Sequence, residues 1–174
     1  MGSIRGTGTN GITGVDVAAC LTGLDRHTYL YGLAKYSLDR SVREELSLLA
    51  VSEAIQSGFK LETGESNRTI AILALTALEI AINPKNCTRC KGVGELKLMA
   101  KIEVCEGCQG AGSRAMGERT LAKMLGVTRF QARKVWAERL KTLLSGYLER
   151  DDRISFVIYM GLVGKHPSRR TQRG

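Results

Sequence analysis

Four of the five cysteines fall into two units of the same design, Cys87-Thr-Arg-Cys90-Lys-Gly92-Val-Gly94 and Cys105-Glu-Gly-Cys108-Gln-Gly110-Ala-Gly112, with fourteen residues between Cys90 and Cys105. Two residues between cysteines let one tight turn aim both sulfurs at a single point. The glycines behind each pair permit positive φ and close backbone approach around the sulfurs. Four thiolates meet the tetrahedral requirement of structural zinc and leave no open position for a catalytic water. The pattern points to one structural Zn2+ held by Cys87, Cys90, Cys105 and Cys108. Redox pairs and an iron–sulfur site are the other readings of such cysteines. A redox Cys-x-x-Cys usually stands singly in a thioredoxin-like βαβ context, and no such pattern surrounds these.

Apparent zinc binding energies of about 10–16 kcal/mol exceed the stability of most small domains. Residues 86–114 are therefore expected to fold only with metal. Between the two knuckles, Glu95 to Val104 reads as a short hairpin or ribbon with Lys97 and Lys101 facing solvent. Cys20, in the apolar run Val17-Ala-Ala-Cys20-Leu21, reads as a lone buried thiol.

A second candidate site follows the cysteines. Leu121, Ala122 and Leu125 form one apolar stripe, Gly126 supplies a turn, and Thr128 can cap the next helix. Ala132, Val135, Trp136 and Leu140 then give a second stripe at i, i+3, i+4 and i+8. Two helices joined by a short turn containing glycine make the helix-turn-helix arrangement. In that motif the start of the second helix enters the major groove. The candidate DNA-binding residues are Arg114, Arg119, Thr128, Arg129, Phe130, Gln131, Arg133 and Lys134. Arg and Gln suit bidentate base contacts, Phe130 could meet a thymine methyl, and Arg114 and Arg119 stand where phosphate contacts occur. The plainer reading is an αα-hairpin with a solvated basic face. Residues 113–150 hold nine basic and three acidic groups, which favours the DNA reading.

The elements that must position these sites are mostly helical. Thr13 to Lys35 reads as helical, with Thr13 and Asp16 spaced as a capping-box variant, although Gly14, Gly23 and Gly32 weaken one unbroken helix. Ser41-Val-Arg-Glu44 is a capping-box signature for a helix ending near Gly58. A third helix from about Asn67 to Asn83 stops at Pro84 and is apolar almost all round, so it is expected to be the central buried helix. Arg153 to Val163 is apolar, and its period does not choose between helix and strand. The fold class is thus mainly α: an N-terminal helical body, an inserted four-cysteine zinc ribbon or knuckle unit, and a C-terminal helix-turn-helix. The segments are a flexible leader (1–12), the helical body (13–85), the zinc-binding unit (86–114), the helix-turn-helix unit (115–150), and an apolar segment with a basic tail (151–174).

The chain has 174 residues, one domain's worth or two small units sharing a core. Its charge of +9 is uneven. Residues 1–84 hold seven basic and nine acidic groups, and residues 85–174 hold nineteen and eight. That asymmetry points to a polyanion partner for the second half, with a solvated basic face as the bland alternative. No apolar run reaches membrane-span length, and the leader has no signal core. A cytoplasmic protein without a membrane partner is expected. His27 and His166 are the only histidines. Neither has a nucleophile or carboxylate pattern beside it, and His27 reads as a helix-surface residue. With no phosphate loop, dinucleotide fingerprint or nucleophile elbow, nothing marks an enzyme. The last ten residues carry four basic groups and no acid. Solvated slack is the plainer reading of them, and contact with RNA, DNA or a polymerase the functional one.

A zinc unit followed at once by a helix-turn-helix, behind a small helical body, resembles the lambda-type bacteriophage late-gene antitermination proteins, the Q family. The likeness runs from about Thr13 to Val163. It is carried by the paired Cys-x-x-Cys-x-Gly-x-Gly units ending in Gly112-Ser113-Arg114, by the helical pair with Trp136, and by Thr13-Gly14-Val15-Asp16-Val17-Ala18-Ala19. The resemblance implies a transcription factor that binds a DNA element at a phage late promoter. It would load onto the paused host RNA polymerase holoenzyme and then suppress pausing and termination, with nascent RNA a further candidate partner. The spacer between the knuckles is shorter than the resemblance leads one to expect, and the recognition-helix face differs, which implies a different DNA site. Two other readings share parts of the pattern. A zinc-dependent DNA-binding regulator needs no polymerase. A chaperone-type zinc module of the J-domain kind would carry four such cysteine units and a His-Pro-Asp motif, whereas this chain has two units and only His166-Pro167-Ser168.

Overall fold

The computed structural model describes residues 13–59, 66–98, 101–108, 110, 112–113 and 116–165. The described residues condense into two compact units, one within 50–144 and one formed by 13–49 with 145–165. These borders cut across the segments read from the sequence, because residues 13–85 are divided near Ala50. The expected leader (1–12) and most of the basic tail lie outside the described residues.

The unit containing both ends of the described chain is built from α1 (Gly14–Cys20), α2 (Arg26–Tyr36), the start of α3 (Arg43–Gln56) and the second part of α7 (Ala137–Lys165). Thr13 caps α1 in the expected box: its hydroxyl accepts from the Asp16 N–H at 3.2 Å, and its own N–H donates to the Asp16 carboxylate at 3.0 Å. The helical stretch from Thr13 breaks at Gly23 (φ +97°), and Asp25 restarts it by accepting from the Thr28 N–H. The Ser41 box takes another form. The Ser41 hydroxyl donates to Asp39 at 2.7 Å, and α3 begins at Arg43.

Residues 153–163, ambiguous in sequence, are helical because α7 buries Tyr147 against Tyr31 and Ile154 beside Leu21 and Gly32. Gly32 has no room for a side chain, since a Cβ there would lie 2.7 Å from Leu21 and 3.3 Å from Ile154. Cys20 is half-buried against Gly161. A polar cluster closes this core. Lys35 pairs with Asp151 and donates to the Tyr31 hydroxyl at 3.0 Å, while the Tyr36 hydroxyl donates to Asp151 at 3.0 Å. Burial, reinforced by the Asp151 carboxylate, pushes Tyr36 up to about 12. His27 corrects the surface reading. It is 8% exposed, its ring meets Tyr147 edge-on at 5.9 Å, and its Nδ1 stands 3.4 Å from the Arg150 guanidinium.

The other unit holds the end of α3, then α4 (Asn67–Ile82), the cysteine segment, α5 (Glu118–Leu125), α6 (Arg129–Gln131), a π-helical turn (Ala132–Trp136) and the start of α7. Helix α4 buries Ile70, Leu73, Ala74, Ala77, Leu78 and Ile82, and it packs against α5. It ends before Pro84, whose ring disfavours a helical residue in front of it and which has no N–H to give. Among the described residues, no helix is long and apolar enough to cross a membrane.

Candidate metal centre and nucleic-acid interface

The sulfurs of Cys87, Cys90, Cys105 and Cys108 all lie within 4.8 Å of one another. Cys87 and Cys105 are 3.9 Å apart, Cys90 and Cys108 3.6 Å. A disulfide needs about 2.05 Å. Four thiolates around a metal at about 2.3 Å would stand about 3.8 Å apart along each tetrahedral edge. The spacing therefore fits four sulfurs around one ion and excludes bonded pairs. Cys87, Cys90 and Cys105 are buried and Cys108 half-buried. An all-thiolate set is soft, which suits zinc or iron over magnesium or calcium.

The two sequence repeats hold each other. The Cys87 N–H donates to the Gly112 carbonyl and the Cys105 N–H to the Gly94 carbonyl, both at 2.8 Å. A Cβ on Gly94 would stand 2.3 Å from the Gly110 carbonyl oxygen, and one on Gly112 would stand 2.4 Å from that of Gly92. Each repeat's last glycine thus seats against the other repeat's first, an approximate two-fold arrangement around the sulfurs. Burial opposes ionisation of Cys90. The N–H groups of Gly94 and Gly92, with the neighbouring thiols, outweigh it and bring Cys90 down to about 6. Burial, with Cys90 beside it, pushes Cys108 up to about 11. Arg89 and Glu106 join the knuckles at 3.0 Å. Both are exposed, so that pair contributes about 0–1 kcal/mol.

Between the knuckles runs the expected ribbon, β1 (Glu95–Leu98) antiparallel to β2 (Lys101–Val104), with Glu95 opposite Val104 and Leu98 opposite Lys101. Leu96 packs on the cysteines. Lys101 is exposed as expected, and so is the rest of β2; the side chain of Lys97 lies outside the described residues. Asn86 and Ser113 bridge to close the unit.

Five residues beyond Ser113 the second candidate site begins, at the start of α5. Helix α5 buries Leu121, Ala122 and Leu125 and ends at Gly126, which is left-handed at φ +68°. The Val127 N–H turns back to the Ala122 carbonyl at 3.1 Å, and Thr128 then caps α6. Ala132 and Trp136 are fully buried and Leu140 nearly so. The Trp136 ring lies under the Arg139 guanidinium at 4.5 Å. Val135, expected on the same stripe, is half-buried.

Of the candidate DNA-binding residues, Arg119, Thr128, Arg129, Phe130, Arg133 and Lys134 are exposed, and Lys134 stands over the Phe130 ring at 4.9 Å. Arg114 lies outside the described residues. Gln131 is half-buried and engaged within the turn itself. Its amide oxygen accepts from both the N–H and the hydroxyl of Thr128, each at 3.0 Å. Only its amide nitrogen is left to face a ligand. The signal was present in the sequence, since Thr-x-x-Gln is itself a capping box. Lys123, exposed and one turn beyond Arg119, is a cation of the same face that the sequence reading passed over. Compared with known protein families and with functionally characterised proteins, the chain matches none.

Proposed function

We propose that this chain is a zinc-organised, DNA-binding transcription antitermination factor. In this reading one structural Zn2+ fixes the cysteine unit, and the pair α5 and α6 works as a helix-turn-helix on double-stranded DNA. The factor then acts on the host RNA polymerase holoenzyme. The observation that carries the DNA step is the division of one short helical stretch. Ala132 and Trp136 are 0% exposed, while Arg129, Phe130, Arg133 and Lys134 all face solvent. Such a face offers charge for phosphates and guanidinium forks for base edges. The polymerase step is supported by the resemblance to the Q family.

Two measurements test the proposal. The metal-loaded protein is expected to shift late-promoter DNA, with log affinity falling about 0.9 per log unit of salt for each phosphate neutralised. In a transcription assay it is expected to raise read-through of a terminator only when that DNA element is present. DNA binding without read-through would leave a zinc-dependent regulator that does not load polymerase. No DNA binding at low salt would overturn the whole reading.

Within it, Arg133→Ala is expected to weaken specific binding by about 1–3 kcal/mol and to relax preference at one base pair. Arg119→Ala and Lys123→Ala are expected to weaken all sequences alike and to lower the salt slope. A footprint that Arg133→Ala leaves unchanged would place base reading on another face.

A further inference from the structure

The ribbon of the cysteine unit ends in an unusual edge. All four residues of β2 are exposed, including Ile102 at 65% and Val104 at 64%. The Cys105 N–H points across to Gly94, so the alternation of an antiparallel ladder turns the backbone groups of Lys101 and Glu103 toward β1. Those of Ile102 and Val104 then point outward, and no hydrogen bond takes them among the described residues. An edge with free N–H and C=O groups and exposed β-branched side chains is a template for another strand.

The flanking charges select that strand. A lysine on an edge repels most strands, and Lys101 here is met favourably only by an acid, Glu103 only by a base. We infer that β2 pairs antiparallel with β2 of a second copy of this chain, about a two-fold axis through Ile102. Ladder parity requires outward groups to face outward groups, which allows Ile102 opposite Ile102 and forbids a one-residue slip. In that register each Lys101 stands opposite the other copy's Glu103, and the two isoleucines meet on the other face. A two-residue slip would set Glu103 against Glu103. The contact is isologous and makes one four-stranded sheet. Paired strands this short bury far less than the ~1,200–2,000 Å² of a stable interface, so the association is weak and concentration-dependent. It uses none of the residues assigned to DNA.

Sedimentation velocity of the metal-loaded full chain over a concentration series, without DNA, tests this. The wild type is expected to shift from monomer to dimer. Lys101→Glu alone, or Glu103→Lys alone, places like charges opposite each other twice and is expected to weaken dimerisation about tenfold. Metal content equal to the wild type shows that each variant is folded. An equimolar mixture of the two variants, and the double variant Lys101→Glu/Glu103→Lys, both restore opposite charges and are expected to restore dimerisation. A wild type that stays monomeric throughout overturns the inference. So do single variants that associate like the wild type, and so does a mixture that fails to recover.

Discussion

Cys90→Ser is expected to abolish metal binding and, with it, the ordered structure of the cysteine unit. Cys90 is buried, accepts the Gly94 N–H at 3.2 Å and stands 3.6 Å from Cys108. A serine oxygen is harder, sits closer to the backbone and holds its proton, so three thiolates are left around an open corner. The unit has little else to fold around. Its buried apolar cluster is the cysteines themselves with Leu96, and β2 is exposed throughout. A lone two-stranded ribbon is marginal in water. Losing a metal worth about 10–16 kcal/mol therefore removes more than such a unit can supply. Elemental analysis is expected to find almost no bound metal, and the amides of 95–104 are expected to exchange as in an unfolded chain. Cys20→Ser, in the other compact unit and half-buried against Gly161, is expected to leave metal content unchanged. A Cys90→Ser protein that keeps a full equivalent of metal would show that the four sulfurs are not a single site.

The parts of this architecture legible in the sequence are those set by short-range spacing. The Cys-x-x-Cys units could be read as one site because two residues fix a turn. The stripes Leu121, Ala122, Leu125 and Ala132, Trp136, Leu140 could be read because helical period decides which side chains bury. What stayed hidden depends on partners far along the chain. Ile154 to Val163 is rich in β-branched and aromatic residues and would suit a strand. It is helical because Ile154 fits beside Gly32 and Gly161 beside Cys20, contacts more than a hundred residues apart in sequence. His27 looked like a surface residue for the same reason, since Tyr147 and Arg150 cover it from α7. The π-helical turn at Ala132–Trp136 has no signature in the stripe, which an ordinary helix would satisfy nearly as well. Gln131 differs from these: its role was local and visible, but the polar type suggested a ligand before it suggested a cap.

Gly94→Ala is expected to cost more than any other glycine substitution in the same compact unit apart from its counterpart Gly112→Ala. The left-handed φ of +84° is strained for a side-chain residue and costs roughly 1–3 kcal/mol by itself. The Cβ would also stand 2.3 Å from the Gly110 carbonyl oxygen, and that contact is backbone, which cannot swing aside. Relief requires the two knuckles to separate. Their separation stretches the Cys105 N–H to Gly94 bond and spreads the sulfurs. The loss should therefore appear in the metal as well as in the fold: affinity in a chelator competition is expected to fall by at least about tenfold, with one unit of 1.4 kcal/mol per decade. Gly126→Ala supplies the comparison. It shares the positive φ, at +68°, but a Cβ there meets nothing within 4 Å, so it should carry only the backbone cost and leave metal affinity alone. Because the repeats are seated reciprocally, each last glycine meeting a carbonyl of the opposite knuckle, Gly112→Ala is expected to match Gly94→Ala in size. If Gly94→Ala and Gly126→Ala proved equally mild, the knuckles would not be held in the interlocked contact from which the metal geometry follows.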